Sequence, residues 1–223
     1  MSEWNLILAS QSPRRRELLS LLGLRFEVMT SDVREIPRAD ETPAELVTRL
    51  SRAKALAAEL DGRHRALVIA CDTIVALEEG PGEAEILGKP RHPDDGRAML
   101  RRLRGRSHVV YSAATVWDSI RGVATDLVET QVRMRPYSEA KIRAYVASGD
   151  ALDKAGAYAI QHQGFDPVDN IEGCYASVMG LPLCHVALRL RQRGLALPAE
   201  VQAVCQNHTG HSCYVYRQIW TPA

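Results

Sequence analysis

The segment 67–77 constrains the fold of this chain more than any other segment. It is an almost continuous run of apolar residues, whereas a strand with one face in water alternates apolar and polar residues. The run therefore predicts a strand that is buried on both faces. Asp72 interrupts the run, and a carboxylate in a buried strand costs free energy unless it is paired, hydrogen-bonded or bound to a metal.

Two interpretations of Asp72 follow from its position. In the structural interpretation, the carboxylate caps a neighbouring loop or pairs with an internal arginine or lysine. In the functional interpretation, Asp72 is a metal ligand or a general base that opens onto a cleft. We favour the functional interpretation.

Strand and helix patterns alternate along the rest of the chain, which is typical of an α/β protein. Residues 128–135 alternate strictly and predict a half-exposed strand. Such a strand indicates antiparallel pairing, so we expect a mixed, twisted β-sheet with flanking helices. The polar residues 78–85 predict a loop. The other predicted elements are helices at 43–60, 93–103 and 182–193, a strand at 108–117, and a helix that Ser138 caps and Gly149 ends.

A short strand, a polar loop and a helix are predicted at the start of the chain. Apolar residues 6–9 precede Ser12 and Pro13, which suit the cap and the first position of a helix. Three arginines follow at positions 14–16, although the helix dipole disfavours cations at this end. A bound anion would explain them, because helix N-termini and arginine side chains both bind phosphate. The alternative is that the arginines are solvated surface charges.

Three further segments suit a phosphate ligand. In the helix that starts at Pro43, Lys54 lies on an apolar face. Its ammonium either extends along the surface to solvent or enters a cleft to meet a phosphate. Lys89 follows Gly88 after the polar loop, and a turn with a solvated lysine is the alternative there. The small residues of 153–161 either let the backbone approach a ligand or form a close-packed loop.

The composition excludes several classes of protein. The net charge is +1, so no overall field attracts a nucleic acid polymer or a membrane, and anion recognition must be local. Five irregularly spaced cysteines do not indicate a disulfide framework. No apolar segment approaches the ~20 residues that span a bilayer, and the first residues lack the pattern of a signal peptide. We therefore expect a cytoplasmic protein.

Taken together, these segments resemble the Maf family of nucleoside triphosphate pyrophosphatases. The resemblance covers roughly residues 5–193, and its motifs occur in the order that the family shows. The matching segments are residues 6–19, 50–55, 70–73, 87–90, 99–105, 145–149, 153–161 and 178–183.

The resemblance implies an elongated α/β protein with a deep cleft between two lobes, which hydrolyses a nucleoside triphosphate to the monophosphate and pyrophosphate. It also implies a divalent cation, Mg²⁺ or Mn²⁺, and a homodimer. Asp72 matches the family's proton acceptor, and Glu35 matches an acid that follows the second strand; both are expected metal ligands. Whether Asp72 acts as the base or holds the metal stays open. The expected substrate-binding residues are Ser10, Arg14, Arg15, Lys54, Thr73, Lys89 and Gln161.

Thr73 and Gln161 resemble the branch of the family that prefers dTTP and UTP. A glutamine side chain has both a donor and acceptors, so it suits the edge of a uracil or thymine. The resemblance also fits a housecleaning role against modified pyrimidine nucleotides. Two alternatives are the branch that prefers 7-methyl-GTP and a non-catalytic nucleotide-binding regulator of cell division. The intact set of Asp72, Lys54 and Lys89 favours an enzyme.

We expect one Maf-like domain over residues 1–193 and a C-terminal appendage over residues 194–223. The appendage has no sustained period and no counterpart in the family, and we leave open whether it is disordered. Its residues Cys205, His208, His211 and Cys213 have the side-chain types of a zinc site. Their spacings do not match a zinc finger, so we favour a tail without metal.

Overall fold

The computed structural model describes residues 4–58, 65–80 and 83–220. The described strands are β1 (Asn5–Ala9), β2 (Glu27–Met29), β3 (Ala66–Gly80), β4 (Glu83–Leu87), β5 (Ser107–Asp118), β6 (Gly122–Met134) and β7 (Val168–Glu172). The described helices are α1 (Pro13–Ser20), α2 (Pro43–Leu56), α3 (Pro93–Leu103), α4 (Glu139–Ala147), α5 (Tyr175–Met179), α6 (Leu183–Gln192), α7 (Val201–Thr209) and α8 (Val215–Trp220), with a 3₁₀ turn at Ala155–Ala157. None of these helices has the length and apolar character that a membrane span requires.

The described strands form one mixed sheet. Its order is β2-β1-β3-β5-β6-β7, and β4 pairs with β3. β1 pairs in parallel with β2 and β3, whereas the remaining pairs are antiparallel. The predicted α/β class, with a mixed sheet and flanking helices, is confirmed. The deep cleft between two lobes stays a prediction.

β3 confirms the prediction of a strand that is buried on both faces. Residues 66–77 are buried apart from Thr73, which is half-buried. Successive side chains of a strand point to opposite faces. The even-numbered residues pack against α2, and the odd-numbered residues up to Cys71 pack against α1, α5 and α6. Asp72 and Thr73 therefore belong to opposite faces of the sheet.

One edge of β3 has no neighbouring strand at its middle within the described ranges. β1 pairs with residues 66–69 of β3, and β4 pairs with β3 only from Val75 onward. On the other edge, β5 pairs continuously with residues 67–76. Asp72 and Thr73 thus lie in a gap beyond the carboxyl end of β1. Ligands of α/β sheets commonly bind beyond the carboxyl ends of strands, where neighbouring connections diverge.

Capping side chains set the starts of two helices beside this gap. The hydroxyl of Ser12 accepts a hydrogen bond from the backbone N–H of Arg15 at 3.4 Å, and Pro13 begins α1, as predicted. Thr42 and Glu45 form a reciprocal capping box at the start of α2. α2 ends at Leu56, so the predicted end at residue 60 is wrong; residues 59–64 lie outside the described ranges.

The predicted loop at residues 78–85 is also wrong. β3 continues to Gly80 and β4 begins at Glu83, so most of this segment belongs to an antiparallel hairpin. The polar residues of this hairpin are exposed, and two of them also pair with α3. Arg102 donates to Glu79 at 2.6 Å and to Glu85 at 2.5 Å.

The appendage after residue 193 is helical and packed, up to the last described residue. Val201 and Cys205 of α7 are buried in the same apolar cluster as α1, α5 and α6. The indole N–H of Trp220 in α8 donates to the carbonyl of Cys184 at 3.3 Å, and the guanidinium of Arg191 lies 4.6 Å from the Trp220 ring centroid. The described part of the tail thus contains two helices that pack against the rest of the chain, and the domain boundary at residue 193 stays a prediction.

A buried ion pair fixes the end of α6 to the turn between β5 and β6. Arg193 donates to the Asp118 carboxylate at 2.7 Å and to the carbonyls of Val116 and Gly122 at 3.0 and 3.2 Å. The side chains of Arg193 and Asp118 are 5% and 0% exposed. Burial alone raises the pKa of Asp118, but hydrogen bonds from the Arg121 and Ile120 amides and from Arg193 lower it overall.

We expect Arg193→Ala to reduce the free energy of unfolding by about 3 kcal/mol, because it leaves the Asp118 carboxylate buried without its cation. The matched control is Arg189→Ala, which removes a more exposed pair with Asp126 and should cost about 1 kcal/mol or less. Urea unfolding followed by circular dichroism measures both losses. Equal losses would contradict the structural role of the Arg193–Asp118 pair.

Candidate active site

A pocket of about 680 Å³ opens at the gap in the edge of β3. Its walls come from the β1–α1 loop, the segment after β2, α2, the middle of β3, the segment after β4, residues 153–161 and the end of α5. The nine residues that the sequence indicates for the site all line it. They are Ser10, Arg14, Arg15, Glu35, Lys54, Asp72, Thr73, Lys89 and Gln161.

A lysine between two carboxylates lies on the α2 side of the pocket. The ammonium of Lys54 donates to the Asp72 carboxylate and lies 2.5 Å from Glu35 Oε1. Asp72 is 5% exposed and Lys54 is 8% exposed. Lys54 therefore enters the pocket instead of extending to solvent. The structural interpretation of Asp72, in which the carboxylate pairs with an internal arginine or lysine, also agrees with this contact.

Burial and neighbouring positive charge have opposing effects on the pKa of each of the two acids. Burial raises the pKa of Asp72, and the nearby Lys54 and Arg15 offset only part of that effect. Burial also raises the pKa of Glu35, but the hydrogen bond and charge of Lys54, with smaller effects of Lys89 and Arg15, leave that pKa below its ordinary value. Glu35 is thus the more firmly ionised of the two acids.

Arg15 is fixed on the opposite face of the sheet from Lys54. Its Nε donates to the Gly180 carbonyl at 2.9 Å, and its terminal nitrogens lie 3.3 Å from Ser10 Oγ and 3.5 Å from Thr73 Oγ1. Gly180 has a φ of +117°, which side chains rarely allow, and a Cβ there would lie 3.5 Å from Arg15 Nε. The Thr73 hydroxyl is held in turn by Ser112 Oγ at 2.8 Å.

Arg14 and Arg16 have different surroundings. Arg14 reaches across the pocket to Asp153, with Nη1 at 2.9 Å from a carboxylate oxygen and Nη2 at 3.4 Å from the carbonyl. Arg16 is exposed and does not line the pocket. The anion interpretation of the three arginines therefore fits Arg14 and Arg15, and the solvated interpretation fits Arg16.

Lys89 and Gln161 are exposed side chains at the pocket wall. The charge of Lys89 is one of the effects that lower the pKa of Glu35. Gln161 follows Tyr158 and Ile160, which line the same wall with apolar surface. These side chains are thus available to a ligand in the pocket.

Sequence reasoning missed Lys154 and Ser112. Lys154 lines the pocket at 7% exposure, and its ammonium donates to Asp150 and Asp153. A signal for Lys154 is present in residues 153–161, where this lysine follows an aspartate and precedes small apolar residues. Ser112 lies on β5 opposite Thr73, and only the strand register reveals that pairing.

Among the described residues, no three His, Cys, Asp or Glu side chains come together as metal ligands. Cys205, His208, His211 and Cys213 of the tail do not form such a group among the described residues. In the pocket, two carboxylates, Asp72 and Glu35, flank one ammonium. Mg²⁺ is commonly held by one or two carboxylates together with phosphate oxygens of a substrate, which suits these two acids in kind, but the ammonium of Lys54 lies between them in this structure.

Comparison with known proteins places the chain in a family. The model of the Maf-like protein family matches residues 5–193, and the chain belongs to that family. It is 47% identical over 193 residues to a dTTP/UTP pyrophosphatase of Geotalea uraniireducens, a match that covers 85% of this chain and 95% of that protein. It is 44% identical over 197 residues to a protein of the same name from Geobacter sulfurreducens, and this match covers 87% of this chain and 99% of that protein.

A solved structure of a HAM1 protein from Coxiella burnetii aligns with 85% of this chain and 100% of that chain. The TM-score is 0.45 and the sequence identity is 14%. This likeness is too weak to bear on function.

We expect Lys54→Met to raise the pKa of Asp72 further above its ordinary value of 3.8, because the Lys54 charge and hydrogen bond favour the carboxylate form. The titration of the Asp72 carboxyl carbon, assigned with Asp72→Asn, is followed by ¹³C NMR. Lys141→Met removes an exposed lysine on α4 and should leave the titration unchanged. An unchanged or lowered pKa in Lys54→Met would contradict the described electrostatics.

Proposed function

We propose that this protein hydrolyses dTTP and UTP to the nucleoside monophosphate and pyrophosphate. The observation that carries the proposal is that a buried carboxylate–lysine pair and two arginines at a helix N-terminus line one pocket. The names of the relatives from Geotalea and Geobacter support the same reaction. Modified pyrimidine nucleotides are further proposed substrates, which would give the protein a housecleaning role.

The charges of the pocket suit a triphosphate. The pocket is lined by five cationic groups and three acidic groups, which are Arg14, Arg15, Lys54, Lys89 and Lys154, and Glu35, Asp72 and Asp153. Arginine matches phosphate oxygens with paired donors, and the N-terminus of α1 adds a favourable dipole. Phosphoryl transfer depends mainly on positioning and on neutralisation of phosphate charge, and these side chains provide both.

In the proposed reaction a water oxygen bonds to the α-phosphorus, and the bond from the α-phosphorus to the bridging oxygen of the β-phosphate breaks. Pyrophosphate leaves with the electron pair of that bond. The proton of the water passes to the Asp72 carboxylate, whose raised pKa makes it a better proton acceptor than an ordinary aspartate. Lys54 holds Asp72 in place through its hydrogen bond.

Glu35 and Asp72 are the acids that we propose for Mg²⁺ or Mn²⁺, and for Asp72 this is the alternative to its role as proton acceptor. Against the effect of burial, the hydrogen bond and charge of Lys54 lower the pKa of Glu35, so Glu35 is present as the carboxylate, which is the form that a metal ion binds. When bound, a divalent ion would neutralise phosphate charge and increase the acidity of a nearby water. Arg15 holds its position through its contacts with Gly180, Ser10 and Thr73, whereas Lys54 contacts the two acids themselves.

Gln161 and Thr73 are the side chains that we propose for choice of the base. Gln161 is exposed at the pocket wall, and its amide offers a donor and acceptors to a uracil or thymine edge. Thr73 is half-buried and fixed by Ser112, so its position is defined before a ligand enters. A cytoplasmic location and a homodimer remain predictions from the sequence.

We expect the purified protein, with Mg²⁺ or Mn²⁺, to release pyrophosphate from dTTP and UTP at least about tenfold faster than from 7-methyl-GTP. ³¹P NMR of the products identifies pyrophosphate and excludes stepwise release of inorganic phosphate. Faster turnover of 7-methyl-GTP would favour the other branch. If the protein released pyrophosphate from no nucleotide, that result would contradict the proposed enzymatic activity and favour a nucleotide-binding regulator.

The matched control for that experiment is Asp72→Asn, which keeps the size of the side chain and removes its charge. It should lose most turnover, roughly a hundredfold or more for a general base, while it keeps the fold and some nucleotide binding. Turnover equal to that of the unaltered protein would refute the role of Asp72.

A further inference from the structure

A network of charged side chains joins the two walls of the pocket, and three of its members, Asp150, Asp153 and Lys154, are not among the nine site residues that the sequence indicates. Lys154 donates to Asp150 Oδ1 at 2.9 Å and to Asp153 Oδ1 at 2.6 Å. The second oxygen of Asp153 accepts a hydrogen bond from Arg14 at 2.9 Å. Asp153 lies 139 positions from Arg14 in the sequence, so this contact connects α1 to the segment that carries Gln161.

The same network extends to the backbone of that segment. Tyr145 donates from its hydroxyl to Asp150 Oδ2 at 2.9 Å, and the same hydroxyl accepts from the Ala159 N–H at 3.0 Å. Ala159 lies two residues before Gln161. Hydrogen bonds therefore run without a break from Arg14 to the backbone beside the proposed base-reading side chain.

An acid at this place needs an explanation, because Asp153 lines a pocket that we propose for an anion. Its side chain is 57% exposed, and a free carboxylate there would repel phosphate. Lys154, at 7% side-chain exposure, offsets that charge. The four groups Asp150, Asp153, Lys154 and Arg14 carry two negative and two positive charges, so the network adds no net repulsion.

The contact with Asp153 leaves Arg14 able to bind a ligand. A guanidinium has five N–H donors, and Asp153 engages two of them, one through its carboxylate and one through its carbonyl. The remaining donors are free to meet a phosphate while Asp153 fixes the orientation of the side chain. Fixing a flexible side chain before binding increases affinity, since the ligand no longer has to order it.

We propose that Asp153, itself held by Lys154, is a positioning residue that fixes Arg14 for the phosphates of the substrate. This role rests on the proposed function and adds to it a residue that acts through Arg14 and does not touch the reacting atoms. Its loss should therefore weaken substrate binding and leave the chemical step nearly unchanged.

The test is a double-mutant cycle with Asp153→Ala, Arg14→Ala and the double variant, in which KM and kcat for dTTP are measured. Asp153→Ala should raise KM about tenfold and change kcat by less than about twofold. The double variant should have the KM of Arg14→Ala, because Asp153 then has no arginine to fix.

Two matched controls accompany the cycle. Asp169→Ala removes another half-exposed aspartate that pairs with an arginine, away from the pocket, and Arg16→Ala removes the neighbouring arginine outside the pocket. Both should leave KM unchanged. The proposal is overturned if Asp153→Ala raises KM by the same factor with and without Arg14, if KM does not change, or if the loss falls on kcat.

A binding experiment separates this proposal from the proposed function. Inorganic tripolyphosphate is titrated into the unaltered protein and the three variants of the cycle, and binding is measured by calorimetry. This measurement requires no hydrolysis. A weaker affinity in Asp153→Ala that vanishes in the Arg14→Ala background supports the positioning role even if no nucleotide is turned over. An affinity that Asp153→Ala leaves unchanged contradicts it even if dTTP hydrolysis is confirmed.

Discussion

The contact between Asp72 and Lys54 is the interaction on which the rest of the site depends. An isolated carboxylate in the middle of a buried strand would be costly, and Lys54 reduces that cost with its charge and hydrogen bond. The contact is possible because β1 ends and β4 has not yet begun at this point of β3. The gap lets α2 place an ammonium beside the strand and opens the pocket in front of both side chains.

Both faces of the sheet contribute to one pocket because the gap lies at a strand edge. Asp72 meets Lys54 and Glu35 on the face that α2 covers, whereas Thr73 meets Arg15 on the other face. Side chains of adjacent residues thus reach the same pocket from opposite sides of β3. A continuous sheet would have separated them, because neighbouring residues of a strand point away from each other.

Local patterns in the sequence predict the central strand and the start of the first helix. They fail for elements whose structure depends on contacts with distant parts of the chain. The apolar run predicts β3, and the cost of a buried charge singles out Asp72. Ser12 and Pro13 predict the start of α1 because capping is a local interaction. The hairpin at β4 is missed because its residues are polar and mostly exposed, whereas its pairing with β3 is a backbone contact that leaves no apolar pattern. The packing of α7 also depends on a distant apolar surface, so its short and weakly periodic sequence gives little signal.

The nine site residues are indicated by the family resemblance and by charge in unusual places, but their contacts are not. No local pattern tells that Glu35 meets Lys54 or that Arg14 reaches Asp153, since both contacts join distant segments. We infer that a triphosphate lies between the α1 arginines and the Asp72–Lys54 pair. A crystal structure with a dUTP analogue that carries an imido group between the α- and β-phosphorus tests it most directly. We expect the α-phosphorus to face Asp72 and the outer phosphates to lie beside Arg14 and Arg15. An analogue bound outside this pocket would contradict that placement.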